Sequence, residues 1–261
     1  MGDLTCRGGQ VTAATHVVLC PNPGPMTLDG TNTWVLCAPG SDQAVVIDPG
    51  PLEEAHLQAV LARVAQLGAR VALTLLTHNH FDHAESADRW ADLTGAPVRG
   101  AGHGAPFEDG ELTTVGQVRI EVLLTPGHTS DSVSFLVPDE SLLVTGDTVL
   151  GRGTSIVAHP DGRLAPYLRS LDRLAARADG LILGPGHGPT HDDAAAVIAQ
   201  YTAHRLQRLE QVRAALRGPA GAAQDVAQAI VEDVYAQVPR DVWPAARATV
   251  QAQLDYLRER D

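Results

Sequence analysis

Lysine is missing altogether from these 261 residues: the 19 basic side chains are all arginine, against 31 acidic ones, for a formal charge of −12. With abundant Ala, Gly and Pro, this reads as the mutational bias of a GC-rich genome. The acidic excess lies within residues 1–200, while 201–261 are balanced. Such a field does not draw in long polyanions, so any nucleic-acid substrate would have to be captured locally. Cysteine is scarce as well. Cys6, Cys20 and Cys37 are odd in number and lack C-x-x-C spacing, which argues against a disulfide scaffold and for free reduced thiols. No apolar run reaches the roughly eighteen residues of a membrane span, so no membrane contact is expected. The first residues lack a basic start and apolar stretch, which makes the cytoplasm the expected location.

What is present is a chain with 44% hydrophobic residues, enough to bury a core without staples. Runs rich in Val, Ile and Leu, several bounded by Gly, Pro or Asp, predict strands at 11–19, 33–37, 44–47, 72–76, 118–124, 133–137, 142–145 and 181–183. Helices are expected at about 53–66, 82–93 and 165–177, so the first part reads as a layered α/β domain. From Asp192 the texture becomes helical. Ile198, Tyr201, Leu209, Val212 and Leu216 form one apolar stripe, and Arg205 falls on it. A second helix carries Val226, Ile230 and Val234. A third has Pro244 in its first turn. The expected division is 1–191 and a helical domain over 192–261.

The decisive segment is Thr77-His78-Asn79-His80-Phe81-Asp82-His83, directly after an apolar strand. Three histidines and an aspartate so close together are costly to pack unless they bind something. Imidazole nitrogens and carboxylate oxygens are zinc ligands. Spacing of two lets His78 and His80 project toward one ion, and Asp82 and His83 lie one turn further on, within reach of a second. Three more turns each present one such residue after a strand: Pro126-Gly127-His128-Thr129, Thr145-Gly146-Asp147 and Pro185-Gly186-His187-Gly188. The remaining histidines 16, 56, 103, 159 and 191 read as packing or surface residues.

These four motifs together resemble the metallo-β-lactamase superfamily of dinuclear hydrolases. The resemblance implies an αββα sandwich with metals at one edge. His78, His80 and His128 would hold one Zn2+; Asp82, His83 and His187 would hold the other; Asp147 would bridge them. Two such ions share a water and lower its pKa, giving a bridging hydroxide, and Asp82 would orient it and take its proton. Histidine at position 80, where iron-dependent relatives carry glutamate, favours hydrolysis over redox chemistry.

Gly30-Thr31-Asn32-Thr33, Gly151-Arg152-Gly153-Thr154, Tyr201-Thr202-Ala203-His204-Arg205 and the helical tail further resemble the β-lactamase-like protein 2 family. That resemblance implies a winged-helix-like tail, and cleavage of single-stranded RNA as by an endoribonuclease of the family. Residue 261 falls where the wing hairpin would begin, so a wing is not expected here. Asn32, Arg152, Thr154, His204 and Arg205 are candidate substrate contacts; a structural ion pair is the competing role for Arg205. Hydrolysis of a small ester or thioester, as by hydroxyacylglutathione hydrolases, is the alternative. The net acidity suits it, although the lysine-rich glutathione clamp has no counterpart in this chain. A true β-lactamase and a non-catalytic regulator binding nucleic acid rank lower.

Overall fold

The computed structural model describes residues 8–260, which places Cys6 outside the described residues. Six strands form the first sheet in chain order: β1 (Gly9–Gln10), β2 (Thr15–Leu19), β3 (Asn32–Leu36), β4 (Gln43–Ile47), β5 (Arg70–Leu75) and β6 (Val98–Arg99). The first four pair antiparallel, and β4, β5 and β6 run parallel. The second sheet contains β7 (Leu112–Val115), β8 (Val118–Leu124), β9 (Val133–Val137), β10 (Leu142–Gly146) and β11 (Ile182–Pro185) in the order 11-10-9-8-7, and only β10 and β11 pair parallel.

Strand periodicity explains the layering. Trp34, Leu36, Val45 and Ile47 point between the sheets and meet Ile120, Phe135, Leu142 and Val144. Their neighbours Val35, Cys37, Ala44 and Val46 point the other way, onto Leu57, Val60, Val64 and Trp90. Those residues belong to α1 (Glu54–Gln66) and α3 (Ala87–Thr94), which follows the short α2 (Phe81–Ala84). Beyond the second sheet lie α4 (Leu164–Ala175) and α5 (Ala194–Leu216), then α6 (Val226–Val234) and α7 (Trp243–Arg258). The result is the expected αββα sandwich with a helical tail. One continuous apolar cluster runs from Leu123 and Leu183 through Tyr167, Ile198 and Leu209 to Val250 and Leu257, so the tail packs into the sandwich's outer layer across residue 192.

Three local differences have physical reasons. The helix expected over 82–93 is broken, because the Ser86 hydroxyl donates 2.8 Å to the Gly50 carbonyl between α2 and α3. The strand expected over 11–19 starts only at Thr15, after a turn in which the Val11 amide bonds the Thr15 carbonyl. Strand β7, at the sheet edge, was not legible, because Leu112 and Thr114 face solvent and leave no apolar face. Among the described residues no helix is long and apolar enough to cross a membrane. Cys20 and Cys37 are free and buried, and burial pushes the Cys20 thiol up to about 12, which leaves it inert.

Candidate metal centre

All seven expected ligands come together at one edge of the sandwich. His78, His80, Asp82 and His83 follow β5 of the first sheet. His128 follows β8, Asp147 follows β10 and His187 follows β11 of the second. Isolated pairing of Thr31 with His187, and an Asn32 amide bonding the Gly186 carbonyl at 2.8 Å, stitch the two sheets at this edge. The side chains form three overlapping groups whose ligand atoms lie within 4.8 Å of one another: His78, His80, His128; His78, His83, Asp147; and Asp82, His83, His187.

Hydrogen bonding fixes which ring nitrogen faces inward. The Thr77 hydroxyl donates to Asp48 Oδ2 at 2.7 Å, so its oxygen accepts from His78 Nδ1 at 2.9 Å. His83 Nδ1 donates to the same Asp48 carboxylate at 2.8 Å. His128 Nδ1 donates to the Ile156 carbonyl at 2.8 Å, and His187 Nδ1 to that of Gly30 at 3.0 Å. Each of these four rings therefore presents an unprotonated Nε2 to the centre when neutral. His80 Nδ1 sits 3.1 Å from His78 Nε2 and 3.0 Å from His128 Nε2, while His83 and His187 face each other through Nε2 at 3.2 Å. Lone pairs brought this close repel unless a proton or cation lies among them.

The carboxylates complete the set. Asp147 places Oδ1 3.4 Å from His83 and Oδ2 3.4 Å from His187 and 3.8 Å from His128, so it faces both histidine groups. Its Oδ1 is buried without a hydrogen-bond donor. Asp82 Oδ2 lies 3.0 Å from His187 Nε2. Burial works to raise the Asp82 carboxyl, but the charge of His83 and the bond from His187 outweigh it and bring it down to about 2. Burial also opposes charge on His187, yet Asp147 and Asp82 lift it to about 9. At His128 burial outweighs the opposing pull of Asp147, and the imidazole falls to about 4. An all-nitrogen and oxygen donor set with an orphaned carboxylate oxygen fits divalent metal.

Asp48 is the residue that sequence reading missed. It is buried, sits at φ +54° in the Ile47-Asp48-Pro49-Gly50 turn, and holds the Thr77 backbone amide, the Thr77 hydroxyl and His83 at once. The signal for it was the turn itself, an acidic residue after a strand like the other four.

The candidate ligands His80, Asp82, His128 and Asp147 open onto a cavity of about 310 Å³. Its other walls come from the 25–28 loop, from 150–156 and from the helical tail, and include Arg152, Thr154, His204 and Arg205. Asn32 does not belong there. It is fully buried and its amide donates to the Pro185 and Gly188 carbonyls at 3.0 and 2.9 Å, so it clasps the turn that carries His187. Arg152 forms a bidentate pair with Asp29. Arg205, expected to have a carboxylate partner if structural, has none among the described residues; it bonds the Ser155 carbonyl and stacks over Tyr167.

A two-sheet sandwich with a His/Asp cluster at its edge defines a metal-dependent hydrolase fold, and the chain belongs to the metallo-beta-lactamase superfamily, whose model matches residues 26–108 and 95–187. Residues 227–261 match the beta-lactamase associated winged helix domain. The chain is 31% identical to an atrochrysone carboxyl ACP thioesterase of Aspergillus fumigatus, over 86% of this chain and 74% of that protein. It is also 31% identical to the beta-lactamase-like protein 2 homolog of Drosophila melanogaster, over 96% of this chain and 89% of the other. Among solved structures, a metallo-beta-lactamase family protein of Thermus thermophilus superposes with a TM-score of 0.79 at 24% identity, covering 95% of this chain and 94% of that one.

Proposed function

We propose that this hydrolase works with two zinc ions, one on His78, His80 and His128, the other on Asp82, His83 and His187, with Asp147 between them. Bound ions of this kind supply an activated water and polarise the bond to be cut. The chain's own residues do the rest. Asp48 and the Gly30 and Ile156 carbonyls hold the rings of His83, His187 and His128 through Nδ1, so these rings keep their orientation on binding. Asp82, held ionised, would give one oxygen to the metal and keep the other to orient the attacking water and take its proton. Gly146 and Gly186 let the ligand-bearing turns approach one another closely, and Gly127 lets the His128 turn lie against Tyr167 of α4.

The substrate we favour is a small acyl ester or thioester. The carrying observation is the cavity beside the ligands, whose walls include Met26, Leu28, Leu150, Ile156, Val238 and Val242. Apolar walls around a single reactive edge suit an acyl body. A long RNA strand would need several cations along its path, and the chain carries −12. Cleavage of single-stranded RNA is the second reading, supported by resemblance to the β-lactamase-like protein 2 family along nearly the whole chain. Rates on hexanoyl-pantetheine, a short single-stranded RNA and a cephalosporin decide between them. Zinc-dependent thioester hydrolysis, lost with chelator and in His80→Ala, is the expected result. RNA cleavage with an inert thioester would move the assignment to the second reading, and no turnover on any of the three would end both.

A further inference from the structure

The wall of the cavity contributed by α5 carries positive charge that the protein itself does not neutralise. Helical spacing puts His204, Arg205 and Arg208 on the turns of α5 facing the cavity. Arg205 is 4% exposed, yet its guanidinium meets the Ser155 carbonyl and the rings of Tyr167 and Tyr201, at 5.0 and 5.9 Å, rather than an acid. Its Nε has no acceptor, and His204 Nδ1 is likewise buried without a partner. Arg208 donates to the Val234 carbonyl at 2.8 Å and to Gln211, and lies over Tyr235. Among the described residues neither arginine meets a carboxylate, although arginines elsewhere on this acidic chain do so, as in Arg99 with Glu111 and Arg177 with Glu121. A buried arginine without a counter-ion is costly. Arg205 is buried and Arg208 half-buried beside it on one cavity wall, opposite apolar residues, and together they make a receptor for an anion.

We propose that Arg205 and Arg208 receive an acidic end group of the substrate, a carboxylate or a phosphate, while its apolar body fills the cavity between them and the metal ligands. This rests on the small-acyl reading above and narrows it: the substrate is amphipathic and anionic at the end away from the scissile bond. Arginine's planar fork, preset by tyrosine stacking, suits bidentate pairing with either oxyanion.

Calorimetric titration of the full chain, zinc-loaded and again after chelation, tests this. The probes are hexanoate against hexanol, and pantetheine 4′-phosphate against pantetheine. At least one anion should bind more tightly than its neutral partner, keep that advantage after chelation, and lose about tenfold in affinity in Arg208→Met. Which pair shows the effect identifies the end group. Arg205 is buried, so Arg205→Lys, which keeps the charge but not the fork, accompanies Arg208→Met; both are checked for native circular dichroism. Anions that bind no better than their neutral partners, or equally well to wild type and both variants, would overturn the proposal. Because binding is read without turnover, a dead metal centre and a missing anion site give different results.

Discussion

At the residue scale, the groups that decide behaviour are the ones holding the ligands. Asp48→Asn keeps the shape of the turn but offers His83 Nδ1–H a weaker acceptor. Zinc affinity, measured by competition with a chromogenic chelator, should fall about 10- to 100-fold. His56 makes a separate case. The Thr33 hydroxyl donates to the Asp48 carbonyl at 2.7 Å, so its oxygen accepts from His56 Nε2–H at 2.8 Å, and Nδ1 is left buried without a donor. Burial lowers this imidazole to about 4. A histidine depressed in the folded state contributes stability that is whole above its unfolded pKa near 6.5 and lost as pH falls toward 4. Relative to His56→Gln, the wild type should lose about 2 kcal/mol between pH 7 and pH 5, read from urea unfolding. His187 works in the opposite sense. Held at about 9, it carries a proton at pH 7 that an incoming ion must displace. Zinc binding should therefore release protons, seen as a buffer-dependent calorimetric enthalpy, and tighten as pH rises toward 9.

At the element scale, the centre is built by strand ends rather than by any one segment. The four ligand segments were legible because each follows an apolar run, the first by its density of histidine and aspartate and the other three by one polar residue on a Gly- or Pro-bent backbone. Their convergence follows from two sheets stacked face to face, which brings the strand ends of both to one edge of the sandwich. What was not legible acts across sequence distance: Asp48 reaches residues 29 and 35 positions away, and Asn32 clasps a turn more than 150 away. No periodicity announces such bonds, which is why Asn32 reads as a substrate contact and is instead a clasp. Gly186 shows how tight the assembly is. A Cβ there would sit 2.5 Å from Asp147 Oδ1 and 2.7 Å from His83 Cε1, while backbone bonds from Gly186 to Gly146 and Asn32 prevent retreat. Gly186→Ala should therefore bind zinc at least about tenfold more weakly, by metal analysis after dialysis. Since the candidate ligands come from both sheets, a metal bound there would also hold the edge closed. Chelation should lower the melting temperature by on the order of 10 °C at a thousandfold excess of zinc over its dissociation constant.

At the scale of the whole molecule, the sandwich supplies the ligands and the helical tail supplies much of the cavity wall. A layered α/β domain was legible from the alternation of strands and helices and the tail from its apolar stripe, whereas the αββα arrangement followed only from the family resemblance of the ligand motifs. Arg205 stood out in sequence as a charge on that stripe and as part of the Tyr201–Arg205 motif. Its lack of a carboxylate partner needed the structure, because nothing in a helical pattern tells which acid a buried arginine will find. The continuous cluster across residue 192 means that the tail is seated by packing rather than tethered. On the function proposed above, the sandwich would carry the reaction while the tail shares in recognition with the 25–28 and 150–156 segments. Lineages could exchange or remodel α5 to α7 and acquire new diets while inheriting the bond-breaking apparatus intact. A chimera bearing another member's tail would then be expected to eat what the donor eats.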